Sequence, residues 1–310
     1  MNSDTIRASS RRSGILLAGA TALISGFAVF FNGYGVRAWS QIADSATYTT
    51  LKNGTAALIL LVAGIAAVRK GAIRAPDRLV LRRHWLGLAA IAVVGGSLPF
   101  LLFFEGLSLA SSADAAFIHK TLVIWVALLA VTLLREKLGP LHLAAIALLL
   151  LGQVALSGLG ELGVGTGEMM ILAATLLWSL ETVIAKRVLG EVPPVAVAVV
   201  RMAGGTAILL VYVLAFADLS GLGSMTAVHA GWILATGITL SGYVATWFAA
   251  LARAQAVDVT AVLVGGALIT ALLNSGIHGV PLPSLSGVAL VAIGIGLIAM
   301  SAWRRAVSDL

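Results

Sequence analysis

Five charged residues, Lys52, Glu105, Lys120, Glu181 and Arg201, stand inside long apolar runs. A charge in hydrocarbon costs ~2.5 to 3.5 kcal/mol on insertion scales, so each is a functional hypothesis by default. Lys120 lies deepest, within Phe117-Ile118-His119-Lys120-Thr121. Its ammonium suits a solute carboxylate, with His119 beside it and the Thr121 hydroxyl as a hydrogen-bond donor. The alternative is a structural pair with Glu105. Glu181 follows Trp178 by three residues, which sets both on one helix face. It can meet a solute ammonium or carry a coupling proton, or it can pair with Lys186 and Arg187. Lys52 and Arg201 lie about one turn from the ends of their runs, where long basic side chains reach the interface as anchors or gates, or touch solute.

Aromatic residues add a second chemistry. Trp125, Trp178 and Trp247 fall well inside their runs, and with Phe103, Tyr243 and Phe248 they suit an apolar pocket that stacks on a flat solute. Ordinary packing is the alternative for each ring taken singly. Pro99, in Gly95-Gly96-Ser97-Leu98-Pro99, removes an amide and frees carbonyls that only a partner helix or a wet cavity can satisfy. A related stretch, Thr239-Leu240-Ser241-Gly242-Tyr243, predicts a second interruption. Gly265-Gly266 and Asn274 are further cavity candidates. Gly14 and Ala18 form a small-xxx-small pair, a spacing expected by chance in a chain so rich in glycine and alanine.

The elements that hold these residues follow from composition. Of 310 residues, 60% are hydrophobic and 11% charged, against roughly 25% charged in ordinary globular chains. Ten apolar segments emerge: Gly14 to Val36, Thr47 to Val68, Trp85 to Leu107, Asp114 to Leu134, Leu141 to Leu159, Gly167 to Ala185, Val195 to Phe216, Gly231 to Leu251, Thr260 to Ile277 and Ser286 to Trp303. Placing the amino terminus in the cytoplasm puts sixteen of the twenty basic residues on the inner side, with Arg37 alone outside. Both termini are then cytoplasmic. Trp39 and Trp232 at outer ends, and Trp85 and Trp303 at inner ends, fit interfacial belts. The expected class is an all-α multi-pass protein of a bacterial-type inner (plasma) membrane, in contact with lipid. Residues 1–13 and 304–310 are cytoplasmic tails.

Sliding the chain along itself by 144 residues lays Leu107 to Ala116 on Leu251 to Thr260 and Asp114 on Asp258. Lys52 meets Arg201 at a shift of 149. Residues 14–160 and 161–303 are thus two repeats of five spans each. An odd count inverts the second repeat, and inverted repeats place a shared midplane cavity that opens to either side in turn. The architecture suits a carrier of a small molecule.

The residues at these positions resemble the EamA-type repeat of the drug/metabolite transporter superfamily. The resemblance rests on Gly106-Leu107, Ser111-Ser112-Ala113, Arg135-Glu136-Lys137-Leu138, Leu177-Trp178-Ser179 and the basic pair Lys52 and Arg201. It implies ten helices in two inverted five-helix repeats and outward movement of amino acids, other metabolites or toxic organic molecules, with an aromatic amino-acid exporter as the nearest type. The sequence departs from the repeat at Val123, Ala267, Val280 and Ser25-Gly26.

Other functions find little support. Gly158, Gly160 and Gly163 match dinucleotide spacing, but no strand precedes them. Ser10-Arg11-Arg12 resembles an export signal, yet nine further spans follow it. No phosphate-binding loop occurs, cysteine is absent, and the five histidines are scattered, so no metal, other cofactor or enzyme activity is expected. The net charge of +7 reads as a topology signal and implies no nucleic acid. A multidrug or quaternary-cation exporter and a passive channel remain as rivals, and monomer and homodimer are equally open.

Overall fold

The structure is a computed structural model that describes residues 3–110, 112–157, 165–279 and 281–308. The Gly158, Gly160 and Gly163 loop, Ser111, Val280 and the 160/161 repeat boundary lie outside the described residues, as does the side chain of Trp303. Among the described residues the chain is all helical. Every backbone group in hydrocarbon needs an internal partner, and apolar runs of this length meet that demand as helices.

The chain opens with α1 (Ser3–Trp39) and α2 (Ser45–Arg69), separated by a turn in which Asp44 accepts the Thr47 amide at 2.7 Å. A short basic helix α3 (Arg78–Arg83) precedes the third span, which is broken into α4 (Trp85–Val94) and α5 (Leu98–Leu109). The fourth span is broken as well, into α6 (Ser112–Lys120) and α7 (Leu122–Leu129), and ends in a wide π turn over Ala130–Leu134. The first repeat closes with α8 (Pro140–Ser157).

The second repeat runs through α9 (Thr166–Val188), α10 (Pro194–Phe216), a 3₁₀ turn, α11 (Ala227–Leu251), α12 (Ala256–Leu263), α13 (Gly266–His278) and α14 (Leu285–Ser308). Among the described residues nine spans reach crossing length, with α4 and α5, α6 and α7, and α12 and α13 each counted as one, while α8 is shorter.

The second interruption expected from the sequence is not formed in the eighth span, because α11 runs straight through 239–243. That stretch has no proline, and the hydroxyls of Thr239 and Ser241 donate to the helix's own carbonyls, Ala235 at 2.7 Å and Ile238 at 2.7 Å. The matched breaks fall instead in the fourth and ninth spans, since the 144-residue shift carries Thr121 to Gly265. At the first, the Thr121 hydroxyl bonds the Ile118 carbonyl at 2.6 Å and competes with the helix ladder. At the second, Gly265 and Gly266 weaken the helix.

The two repeats interleave. The main helix contacts are α1 with α11, α2 with α10, α5 with α9, and α8 with α14. Each joins one repeat to the other, and exchanging the repeats maps this set onto itself. Large apolar side chains such as Val211, Leu214 and Phe216 point outward at 67–77% exposure, the surface expected against lipid chains. Trp85 is likewise exposed, but Trp39 is buried, its indole donating to the His229 carbonyl at 3.1 Å, so it packs the bundle and does not face the interface.

Candidate functional site

The break in the third span organises the interior. Carbonyls freed before Pro99 are taken up locally: Ser97 Oγ donates to Ala92 and Val93 oxygens at 3.1 Å each, and Trp178 Nε1 donates to the Gly95 oxygen at 3.2 Å. Gly95 and Gly96 permit two close approaches. A Cβ on Gly95 would fall 2.1 Å from Glu181 Cδ, and one on Gly96 would fall 2.2 Å from the Arg201 oxygen. Backbone blocks a side chain at Gly96, whereas at Gly95 the Glu181 side chain would have to move, and neither glycine has a positive φ.

Glu181 and Arg201 meet beside this break. Arg201 Nε donates to Oε1 at 2.5 Å and Nη2 to Oε2 at 3.3 Å, with both side chains buried. The pairing of Glu181 with Lys186 or Arg187 is not formed. Those two cations bond backbone carbonyls instead, Lys186 at Leu251 and Ala254 and Arg187 at Leu133. Neither Arg201 nor Lys52 extends to an interface, because both are buried. The Lys52 ammonium donates to Asn32 Oδ1 at 3.1 Å and lies over the rings of Tyr48, Phe100 and Phe104 at 5.6, 5.8 and 5.3 Å. Aromatic faces offer a desolvated cation partial compensation.

Sequence reasoning missed Phe100, which binds these pieces together. Its ring meets Trp178 edge to face at 5.5 Å and lies under both Lys52 and Arg201. Trp178 in turn contacts Phe103 at 5.5 Å and His119 at 5.1 Å, and Phe103 contacts His119 at 5.4 Å. Phe103, His119 and Trp178 therefore form one cluster. His119 Nδ1 is buried and has no hydrogen-bond partner among the described residues. Lys120, next in the chain and half-buried, makes no ion pair with Glu105 and has no hydrogen bond among the described residues. Buried polar atoms without protein partners call for an explanation.

The remaining predicted residues form two smaller groups. Trp125 Nε1 donates to Thr121 Oγ1 at 3.1 Å. A hydroxyl carries one proton, and that of Thr121 is committed to Ile118, so the expected donation from Thr121 to a solute is not available in this arrangement. Tyr243 and Trp247 stack at 6.1 Å on α11. Glu105 lies in the lining of a cavity of about 320 Å³ with Asp44, Thr49, Phe100, Phe104 and Tyr212. Phe100 both lines this cavity and touches the Trp178 cluster.

The opposite end of the bundle is closed by polar contacts. Glu136 accepts the amides of Ala256 at 2.8 Å and Val257 at 3.3 Å, and burial holds its carboxyl above the ordinary range despite these bonds. Gly14 packs closely here, since a Cβ there would lie 2.8 Å from Ala254 Cβ. Nearby, buried His142 Nε2 meets Asp258 Oδ1 at 3.1 Å and Ser301 Oγ at 3.2 Å. This trio is not a nucleophilic triad. The Gly139 amide donates to Nδ1 at 3.2 Å, which leaves the Nε2 proton facing both partners and no lone pair to activate the serine. No group of metal-ligating side chains occurs among the described residues.

Comparison with known proteins follows the same lines. The sequence pattern of the EamA-like transporter family matches residues 12–158 and, a second time, residues 165–302. An uncharacterized transporter of Methanothermobacter thermautotrophicus is 30% identical over 113 residues, a stretch covering 34% of this chain and 33% of that protein. A protein of known crystal structure superposes with a TM-score of 0.75 over 94% of this chain and 98% of its own, at 20% identity. That likeness concerns the fold.

Proposed function

Since the chain belongs to the EamA-like transporter family of the drug/metabolite transporter superfamily, we propose that this multi-pass membrane transporter is an alternating-access carrier that exports amino acids, chiefly aromatic or hydrophobic ones, or similar amphiphilic metabolites. Both termini lie in the cytoplasm of a bacterial-type cell, and the two repeats are inverted relative to each other. Lys120 receives the solute carboxylate, while Phe103, His119 and Trp178 hold its ring. Trp125, Tyr243 and Trp247 complete the wall. Glu181, Arg201, Lys52, Glu105 and Pro99 serve gating or coupling.

The observation that carries this reading is the unpartnered pair of polar groups, Lys120 Nζ and His119 Nδ1, beside an aromatic cluster. A half-buried cation without a protein carboxylate is a costly arrangement that a bound carboxylate relieves. Trans-stimulated uptake of labelled phenylalanine by proteoliposomes tests it. Counterflow supports a carrier, and uptake without trans-stimulation but with measurable conductance points to a pore.

A second reading, export of lipophilic cations, draws support from the 320 Å³ cavity, whose lining includes the carboxylates of Asp44 and Glu105 and no basic side chain. Ligand binding to the native state raises its melting temperature. Stabilisation by phenylalanine favours the first reading, and stabilisation by tetraphenylphosphonium alone favours the second.

A further inference from the structure

The turn at residues 252–255 ends α11 and leads into α12, so it presents the last carbonyls of one helix next to the first amides of another. Opposite charges meet these ends. Lys186 Nζ donates to the Leu251 oxygen at 2.5 Å and the Ala254 oxygen at 2.6 Å, while the two Glu136 carboxylate oxygens take the Ala256 and Val257 amides. Each charge has the sign that its helix end favours. Against the same turn, α1 packs through Gly14, where no Cβ fits.

The two charged arms differ in origin. Lys186 belongs to α9 in the same repeat as the turn, so its bonds brace that repeat internally. Glu136 comes from the first repeat, so its bonds cross from one repeat to the other. They also sit at the end of the bundle remote from the 320 Å³ cavity, which is lined by the start of α2 and by Leu98 to Glu105 of α5. The 144-residue shift carries Glu136 to Val280, so the carboxylate occurs in one repeat only. Other bonds join the repeats at the far end, such as Trp39 with His229, but none there comes from a counterpart of Glu136, so this carboxylate adds to closure at one end alone.

We propose that Glu136 is a one-sided latch between the repeats, and that release of the Ala256 and Val257 amides is the event that opens the bundle at the α11–α12 turn. The proposal rests on the carrier reading above, but its test needs no substrate. Because the chain has no cysteine, Ser241→Cys supplies a single thiol, about 15 Å along α11 from the turn. Ser241 is 6% exposed. Membrane vesicles bearing the full chain are treated with an impermeant maleimide on the side that carries Arg253.

With Glu136 intact, labelling from that side is slow. Glu136→Gln accelerates it about ten-fold, the scale of one charge-assisted hydrogen bond, and slows labelling from the other side. Equal rates from the Arg253 side in the two proteins overturn the latch. Where Glu136→Gln does not assemble, Glu136→Asp serves, since its shorter side chain cannot reach both amides, and the same equality overturns the proposal. Loss of the carrier reading has a separate signature: thiol access in the parent protein that stays indifferent to every added solute, with the latch comparison between variants still readable.

Discussion

Lys52 and Arg201 stand at the same distance, 5.8 Å, from the centre of the Phe100 ring. One cation belongs to each repeat, and the two occupy matching positions when the halves are aligned. Their surroundings nevertheless differ. Arg201 has a carboxylate, Glu181, whereas Lys52 has an amide oxygen and three rings. A ring shared by repeat-related cations is well placed to register movement of one half against the other.

The Glu181 and Arg201 pair is buried on both sides, so removing one partner strands a charge. Arg201→Met is expected to cost about 3 to 5 kcal/mol of stability. The double variant Glu181→Leu with Arg201→Met recovers most of that loss, because no isolated charge remains. Chemical unfolding in detergent measures both. Transport staying low in the recovered double variant assigns the pair a role in the cycle, and full transport returns it to structure alone.

Lys120 has no carboxylate partner among the described residues, so Lys120→Ala leaves no stranded anion and folds normally. Its affinity for an aromatic amino acid falls about ten- to a hundred-fold, as loss of a charge-assisted hydrogen bond predicts. Isothermal titration of purified protein reads the change, and unaltered affinity rejects the carboxylate role.

Gly96 and Gly205 abut through backbone, with a Cβ on Gly205 falling 2.4 Å from the Gly96 oxygen. Backbone cannot yield as a side chain can, so Gly96→Ala is expected to destabilise by at least about 1 to 3 kcal/mol. Gly19 is different, since a methyl group added there would meet nothing within 4 Å. Gly19→Ala therefore leaves the melting temperature level or raises it, through the helix propensity of alanine. Thermal unfolding of the two variants side by side tests the contrast.

Trp178→Phe keeps a ring against Phe100, Phe103 and His119 but removes the donor that satisfies the Gly95 carbonyl. The orphaned oxygen costs about 1 to 3 kcal/mol. A lower melting temperature with retained ligand affinity is expected, and a loss of affinity alone gives the indole a solute contact.

The spans and the repeat relation were legible because hydrocarbon demands long apolar helices, and because both copies keep an aspartate at the start of the fourth or ninth span. The third-span break was legible too, since proline cannot continue a helix ladder. Thr121 gave no such warning, as its hydroxyl competes with the backbone only in one rotamer. Phe100 was hidden for a different reason. In Leu98-Pro99-Phe100-Leu101-Leu102-Phe103-Phe104 nearly every side chain is apolar, so no period marks the inward face. The partner of Glu181 was obscured by distance along the chain, because Lys186 and Arg187 lie closer in sequence while Arg201 arrives through the packing of α9 and α10.

The wide turn at Ala130–Leu134 acts like one extra thread on a screw. It delivers Arg135 into a left-handed conformation at φ 58° and lets the Glu136 amide reach the Ala130 oxygen at 3.0 Å. Deleting a single residue there would rewind the thread to ordinary pitch and swing whatever follows by about 100°. The acid at its tip would then aim away from its keeper, so the length of this short stretch, as much as the identity of the glutamate, determines whether the bolt can be thrown.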